Sequence, residues 1–241
     1  MAQPSKPAEA MRRLRGILEE IPLFAGLEDE EALRIGAAAR QRTFQRDEVV
    51  VDCGEAPQAV YAIASGRLKV VRPRIQGPDA GLAILRAGEL FGEVAILSRT
   101  QEGRLARVIA LRESVLLAID AATFVGLLQS SQTLSLRLLA MLAGRLRDTT
   151  VHFDDVTSLD VPGRLARKLL LLADRFGSPV QDGVGLQVRL TQRELGELVD
   201  ATWRDVSACL TQWRLEGALR LRDGQLVIVD LDALRCYADT A

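Results

Sequence analysis

The middle of the chain constrains the fold more than any other segment. Residues 131–156 contain no proline and only one glycine, Gly144, so nothing in this segment interrupts a helix. The predicted helix divides the 241-residue chain into two parts with different sequence texture. We therefore predict two domains connected by one long helix, which is an ordinary number of domains for this length.

Small and apolar residues recur along this helix at alternating spacings of four and three residues. They are Ser135, Leu139, Leu142, Leu146, Thr149, Phe153 and Val156. This heptad pattern is typical of a two-stranded coiled coil, and a symmetric dimer is the commonest closed assembly. We predict a homodimer with an interface at Leu139, Leu142, Leu146 and Phe153. The alternative is a helix that packs only against its own N-terminal domain.

The part before the long helix has the sequence pattern of a β domain. Between Arg42 and Ile119 the chain consists of short β-type runs that are separated by glycines. The runs are residues 49–51, 60–63, 68–71, 82–85 and 115–119. Such strands predict a small β barrel or jelly roll. Flanking helices are expected over residues 7–20, from the acids at 28–31, and from the N-cap Asp120 to Leu127.

Two short helices in the C-terminal part begin with the same capping signal. Thr191 is followed three residues later by Glu194, and Thr202 by Asp205, which matches the reciprocal hydrogen bonds of a capping box. A short turn joins the two helices, so they predict a helix-turn-helix. The N-terminal end of the second helix of such a motif enters the major groove of DNA. The alternative is an ordinary helical hairpin packed on a β-ribbon.

The segments around this motif complete a predicted winged domain. The sequence Leu159-Asp160-Val161-Pro162-Gly163 marks a domain boundary, and a helix is predicted over residues 164–176. Residues 177–185 are predicted as turns and residues 186–190 as a strand. Two β runs around Asp223-Gly224, within residues 219–229, are predicted as a two-stranded wing.

The composition excludes several classes of protein. Apolar residues make up 48% of the chain, but their runs are far shorter than the roughly 18 residues of a membrane span. The segment before Arg12 lacks the apolar core of a signal peptide, so no membrane contact is expected and the cytoplasm is the expected compartment. The three cysteines are far apart and the single histidine, His152, is predicted to be exposed on the long helix, so we predict no metal site. The net charge is −1, and residues 161–241 contain 11 basic and 11 acidic residues, so any DNA contact must come from local placement of charge.

Two segments carry a resemblance to a known family. Residues 189–229, RLTQRELGELVDATWRDVSACLTQWRLEGALRLRDGQLVIV, resemble the DNA-binding domain of the cyclic-AMP receptor protein and FNR superfamily, and LDVPGRLA at 159–166 is similar to the family hinge. The resemblance implies an α+β fold with an N-terminal cyclic-nucleotide-binding-type β jelly roll, a long dimerisation helix and a C-terminal winged helix-turn-helix. The predicted domains are a sensor over 1–130, the dimerisation helix and hinge over 131–159, and the DNA-binding domain over 160–241.

The resemblance also implies which residues contact double-stranded DNA. Well-studied members read bases with an arginine, a glutamate and a later arginine, where this chain has Trp203, Arg204 and Ala208. Arg204 is still able to bond guanine O6 and N7, but the usual operator does not carry over. Residues at the helix starts are suited to contacts with DNA phosphates. Such contacts position the protein without specifying sequence. The predicted DNA-binding residues are Thr191, Gln192, Thr202, Trp203, Arg204 and Ser207.

Residues 88–106, GELFGEVAILSRTQEGRLA, resemble the phosphate-binding cassette of cyclic-nucleotide domains. The resemblance implies that Glu93 accepts a hydrogen bond from a ribose 2′-hydroxyl and that Arg104 pairs with the cyclic phosphate. A glycine lets the backbone approach the ligand, and amides of a short helix face the phosphate. The predicted cassette residues are Gly92, Glu93, Val94, Ala95, Arg104 and Leu105.

Two features of the predicted pocket point in opposite directions. Cyclic-AMP binders carry Ser or Thr after the cassette arginine, whereas this chain has Leu105, and the lost hydrogen bond is worth about 1.5 to 3 kcal/mol. Thr149 and Thr150 occupy the places where the family holds the purine with hydroxyl residues from both subunits. The alternative is a pair of solvated or helix-bonded threonines. Arg145, one turn earlier, either joins the pocket or faces solvent.

Together these features predict a DNA-binding transcription regulator that is gated by a cyclic purine nucleotide and is not an enzyme. Cyclic AMP is favoured and cyclic GMP is the competitor. The alternatives are a regulator of the same family without a cyclic-nucleotide effector, or a nucleotide-binding protein that acts through protein partners. No covalent cofactor is expected, and RNA polymerase is an expected partner.

Overall fold

The computed structural model describes residues 15–77, 79–98 and 103–239. Its contacts divide the chain into two compact units, Met1–Pro73 with Ala83–Leu146, and Arg74–Leu82 with Arg147–Ala241. Most of the helix predicted over residues 7–20 lies outside the described residues, which contain its helical part at residues 15–19, here called α1. The three-part domain division stays a prediction.

The first unit contains two antiparallel four-stranded sheets. Its strands are β1 (Arg40–Phe44), β2 (Val49–Val51), β3 (Ala59–Ser65), β4 (Arg67–Arg72), β5 (Ala80–Arg86), β6 (Leu90–Phe91), β7 (Arg107–Ala110) and β8 (Ser114–Asp120). Their order is β1-β8-β3-β6 in one sheet and β2-β7-β4-β5 in the other. The helices are α2 (Asp29–Ala38), α3 (Glu93–Leu97), α4 (Ala121–Ser130) and α5 (Gln132–Ser158), the last of which continues into the second unit. All five predicted strands are confirmed.

Strand β3 shows why this unit has two layers of core. Tyr61 and Ile63 pack with residues of both sheets, so they fill the space between the sheets. Val60 and Ala62 point to the other side and pack with apolar residues of the helices, among them Phe124. Because alternate residues of a strand face opposite sides, a strand that is apolar throughout needs a cover on both faces.

Helix α5 has one buried and one exposed row of apolar residues. Leu134 and Leu138 are buried in the helical core, and Leu142 is half-buried and packs against the same core. The exposed apolar and small residues form a neighbouring row, which we call the α5 row. It consists of Leu136, Leu139, Ala143, Leu146, Thr150 and Phe153. The predicted seam therefore shares only part of its residues with the exposed row, because Leu142 is used to cover the sheet.

The second unit contains the C-terminal helices and one small sheet. Its further elements are α6 (Val161–Phe176), β9 (Gly177–Val180), β10 (Gly183–Leu186), α7 (Gln192–Val199), α8 (Trp203–Leu215), β11 (Leu219–Arg222), β12 (Gln225–Ile228) and α9 (Leu231–Asp239). The sheet order is β11-β12-β10-β9. The predicted wing is confirmed as β11 and β12. The predicted turn region at 177–185 and strand at 186–190 are wrong, because residues 177–186 form the hairpin β9–β10, which pairs with β12.

Both capping boxes of the helix-turn-helix are present. Thr191 and Glu194 exchange hydrogen bonds at the start of α7, and Thr202 and Asp205 do so at the start of α8. The turn between the helices is tight, because a Cβ at Gly196 would lie 2.6 Å from the carbonyl oxygen of Ala201. Only glycine fits this position of α7, so Gly196 allows the turn that follows to pack closely against the helix.

No helix within residues 15–77, 79–98 and 103–239 is both long and apolar enough to cross a membrane. The same residues contain no group of three or more His, Cys, Asp or Glu side chains that could hold a metal ion.

Candidate functional site

A left-handed glycine allows the cassette arginine to approach the backbone. Gly92 has a φ of +91° and precedes α3 as its N-cap. A Cβ at this position would lie 2.7 Å from Nη1 of Arg104 and 3.2 Å from the carbonyl oxygen of Ala59. Because a side chain would be strained in this conformation and would also collide with the guanidinium, the site requires glycine.

Arg104 is buried and makes a hydrogen bond to the backbone. The residue is 5% exposed, and its Nη2 donates a hydrogen bond of 2.8 Å to the carbonyl oxygen of Ala59. The guanidinium carbon lies 5.5 Å from the centre of the Tyr61 ring. Burial lowers the pKa of Arg104, and Tyr61, Glu55 and Glu93 act in the opposite direction. A buried cation of this kind is complementary to an anion such as a phosphate.

Glu93 is fully buried beside this arginine. Its Oε1 accepts a hydrogen bond from Nη1 of Arg145, whose Nη2 also donates to the carbonyl oxygen of Leu90. Its other oxygen, Oε2, is buried and has no hydrogen-bond partner among the atoms that the structure describes. Since a buried carboxylate oxygen without a donor costs about 1 to 3 kcal/mol, a ligand hydroxyl would be stabilising here. Of the two alternatives for Arg145, the structure shows the side chain bound to the cassette residue Glu93 rather than directed only to solvent, and its part in a nucleotide pocket stays a prediction.

The remaining cassette residues surround this pair. Val94 and Ala95 lie in the first turn of α3, where amide groups have no acceptor within the helix. Leu105 is 51% exposed, so its apolar side chain is not part of the core. The structure thus brings Gly92, Glu93 and Arg104 together in the first unit, with Arg145 added to them. The role of the whole set in binding stays a prediction.

Thr149 and Thr150 do not belong to the unit that contains the cassette. Both are exposed on α5, in the part of this helix that belongs to the second unit. The cassette belongs to the first unit, so a contribution of the two hydroxyls to the pocket stays a prediction. The sequence could not establish the partner of Arg145, because Glu93 is 52 positions away in the chain.

The predicted DNA-binding residues lie together at the starts of α7 and α8. Trp203 is 54% exposed and the guanidinium carbon of Arg204 lies 5.5 Å from its ring centre, a cation–π contact that the sequence analysis did not include. Ser207 is half-buried one turn further along α8, whereas Gln192 is exposed on α7.

The hydroxyl groups of the two N-cap threonines are already used within the motif. Oγ1 of Thr191 donates a bond of 2.9 Å to Glu194, and Oγ1 of Thr202 donates one of 2.6 Å to Asp205. These two hydroxyl groups are therefore not the expected phosphate ligands. Contacts with phosphate at the helix starts would come from backbone amides instead.

His152 is not exposed as the sequence analysis predicts, but half-buried. Burial lowers the pKa of its imidazole, and the neighbouring Lys168 lowers it further, against the opposite effects of Asp155 and Asp200. The pKa of Lys168 is lowered as well, chiefly by burial. The prediction was wrong because the heptad pattern of α5 carries no information about contacts with α6.

Both parts of the chain match known protein families. Residues 41–131 match the family model of the cyclic nucleotide-binding domain, and residues 163–237 match the Crp-like helix-turn-helix domain. The CRP-like cAMP-activated global transcriptional regulator of Mycobacterium tuberculosis is 31% identical over 220 residues, which cover 90% of this chain and 96% of that protein. The chain belongs to the CRP/FNR superfamily. The cyclic AMP receptor protein of Thermus thermophilus is 29% identical over 207 residues, 86% of this chain and 92% of that protein.

Two solved structures of CRP/FNR regulators have the same fold. A mutant of CooA from Carboxydothermus hydrogenoformans has a TM-score of 0.73 at 22% identity and covers 88% of this chain and 93% of its own. The c-di-GMP responsive regulator CLP of Xanthomonas campestris has a TM-score of 0.72 at 22% identity, with coverage of 84% and 100%. These structures confirm the predicted α+β fold class, whereas the predicted family is confirmed by the two domain matches and the relative from Mycobacterium tuberculosis. The chain is a transcription regulator with a DNA-binding helix-turn-helix, and not an enzyme.

Proposed function

We propose that this CRP/FNR regulator is gated by a cyclic purine nucleotide. The observation that carries the proposal is the pair of buried charges in the cassette, with the guanidinium of Arg104 beside Glu93 and its Oε2. A cyclic phosphate would pair with the cation, and a ribose 2′-hydroxyl would donate to the carboxylate oxygen. One ligand would thus complement both groups.

Cyclic AMP is the favoured effector and cyclic GMP is the competitor. The relatives from Mycobacterium tuberculosis and Thermus thermophilus are named for cyclic AMP. CLP, however, responds to c-di-GMP, so the fold by itself does not select the effector. Leu105 keeps the effector-free alternative open, because it offers no hydroxyl to a phosphate.

Calorimetric titration with cyclic AMP and cyclic GMP tests this proposal directly. We expect heat of binding with at least one of them, and stronger binding of the same nucleotide to a Leu105→Ser variant, by roughly tenfold if one charged hydrogen bond is gained. The exposed position of Leu105 makes this substitution harmless to the core. If neither protein binds either nucleotide at millimolar concentration, the effector-free alternative replaces the proposal.

We further propose that the regulator is a homodimer and that the α5 row is its interface. Leu139 is 61% exposed, and Leu146 and Phe153 are each 69% exposed, at the spacing of a coiled coil. A second copy of the same helix would cover this row and bury apolar area that the single chain leaves in water. In this arrangement Leu142 supports the helix from its inner side.

The proposed nucleotide would act by changing how the dimer presents its two recognition helices α8. Two such helices must match the spacing of successive major grooves, so a modest change in their arrangement alters DNA affinity. The proposal keeps the division into a sensor (1–130), a dimerisation helix and hinge (131–159) and a DNA-binding domain (160–241). Thr149 and Thr150 would contact the purine. The protein would bind its DNA in the cytoplasm, with RNA polymerase as its protein partner.

We propose that Arg204 contacts a base edge and thereby contributes to the sequence preference of the regulator. We expect Arg204→Ala to weaken binding to a selected operator by about 1 to 3 kcal/mol and to relax the preference at one base pair per half-site. Binding to unrelated DNA should change much less. A competition assay with the operator and a random duplex measures both affinities. An equal loss on both duplexes would assign Arg204 to phosphate contact instead.

A further inference from the structure

The segment that connects β4 and β5 lies against the helix-turn-helix. Residues 74–77 and 79–82, which are the described part of this connection and the start of β5, belong to the second unit together with α7 and α8, and we call them the β4–β5 hairpin. Nη1 of Arg74 donates a hydrogen bond of 2.6 Å to Oδ1 of Asp200, in the turn between the two helices. Asp200 has a φ of +52°, and its pKa is lowered first of all by this bond. The ion pair thus connects the hairpin to the turn of the DNA-binding motif.

A second contact joins the hairpin to the backbone of α7. Gly81 is buried, and a Cβ at this position would lie 2.9 Å from the carbonyl carbon of Glu197 and 2.9 Å from the amide nitrogen of Leu198. Its backbone conformation does not itself require glycine. The missing side chain is therefore needed for the close approach of the hairpin to α7 and not for a turn.

The tip of the hairpin stands beside the start of the recognition helix. Gly77 lines a cleft of about 510 Å³ whose other walls are formed by residues at the starts of α7 and α8. Those residues are Arg193, Ala201, Thr202, Trp203 and Arg204. They include the side chains that the proposed DNA contact requires, so the hairpin tip occupies space next to the reading end of α8.

The dimensions of DNA make this arrangement incompatible with base reading. The major groove is about 12 Å wide, and an α-helix with its side chains is about 10 to 12 Å across. The groove thus admits the end of α8 but not the end of α8 with a hairpin attached to it. We propose that the β4–β5 hairpin is an autoinhibitory element, which must leave α7 and the turn before α8 can enter the major groove. This inference rests on the proposed binding of DNA through Arg204.

Removing the charge of Arg74 would change DNA affinity in opposite directions, depending on whether Arg74 holds DNA or holds the hairpin. If Arg74 helped to hold DNA, removing its positive charge would weaken binding to the polyanion. If Arg74 holds the hairpin on the turn, the same removal strengthens DNA binding. We expect Arg74→Gln to raise the affinity for DNA without nucleotide about two- to fivefold, a modest gain because the ion pair is partly exposed. Gly81→Ala should raise it on the order of tenfold, because its Cβ collides with the backbone of α7.

The experiment uses the full chain and a duplex selected from a random-sequence pool with the wild-type protein. Arg72→Gln is the matched control, since it removes the same charge from an exposed position of β4. Tryptophan fluorescence gives a second readout, because Trp203 lines the cleft whereas Trp213 is 1% exposed and supplies a constant background. Emission should shift to longer wavelength in both hairpin variants, and thermal unfolding should be measured for each protein.

Tighter binding by the folded Arg74→Gln variant, without such a gain in Arg72→Gln, would support the inference. Unchanged or weaker binding by Arg74→Gln would overturn it, and this variant decides the matter if Gly81→Ala fails to fold. Absence of binding to any duplex by the wild-type protein and by both variants, with or without cyclic nucleotide, would instead overturn the proposed function.

Discussion

Replacement of Arg104 by alanine is expected to abolish binding of cyclic AMP and cyclic GMP alike. Its guanidinium is buried in the cassette and donates a hydrogen bond of 2.8 Å to the carbonyl oxygen of Ala59. The negative charge of a cyclic phosphate would pair with this cation. Loss of a buried, charge-assisted hydrogen-bonding partner costs about 3 to 5 kcal/mol, which exceeds a hundredfold in affinity. Calorimetric titration of wild-type and variant proteins measures the difference.

Two further variants control for charge and for folding. Arg112→Ala removes the same charge from an exposed turn of the first unit and should bind nucleotide like the wild type. Arg104→Lys keeps a charge but not the planar pair of donors, so we expect intermediate affinity. Retained binding by a correctly folded Arg104→Ala protein would place the phosphate elsewhere.

The second large effect concerns the α5 row. Leu139→Asp combined with Leu146→Asp should convert the proposed dimer into monomers, because each substitution would bury an unpaired charge in the interface. Both side chains are exposed in the single chain, so the fold of the subunit should survive. Light scattering measures the mass in solution.

The control for this prediction uses exposed leucines away from the row. Leu171 is 46% exposed on α6 and Leu215 is 85% exposed at the end of α8. Their double replacement by aspartate adds the same charge and should leave the dimer intact. A dimer that persists in the Leu139 and Leu146 variant would place the interface on another surface.

The local parts of the fold could be predicted from the sequence because their causes are local. The capping boxes at Thr191 and Thr202 need only residues three positions apart, and both are present. The β runs were equally visible, since glycines separate them. The hairpin β9–β10 was missed because Gly177, Pro179 and Gly183 are typical turn residues, and their strand conformation depends on pairing with distant β12.

The site could be predicted only as a set of residue types. The motif around Gly92 and Arg104 identified the cassette, but the bond between Arg145 and Glu93 joins residues far apart in sequence. The register of the α5 row was similarly underdetermined. Two adjacent rows of α5 share Leu139, Leu146 and Phe153, and only the packing of Leu142 against the sheet distinguishes them.

Gating of DNA binding by a nucleotide is the central claim, and the affinity for a selected duplex tests it most directly. Fluorescence anisotropy of the labelled duplex should be measured without nucleotide, with cyclic AMP and with cyclic GMP. We predict that at least one nucleotide tightens binding by about 5- to 150-fold, the range of ordinary allosteric coupling. The same affinity under all three conditions, at millimolar nucleotide, would contradict the account.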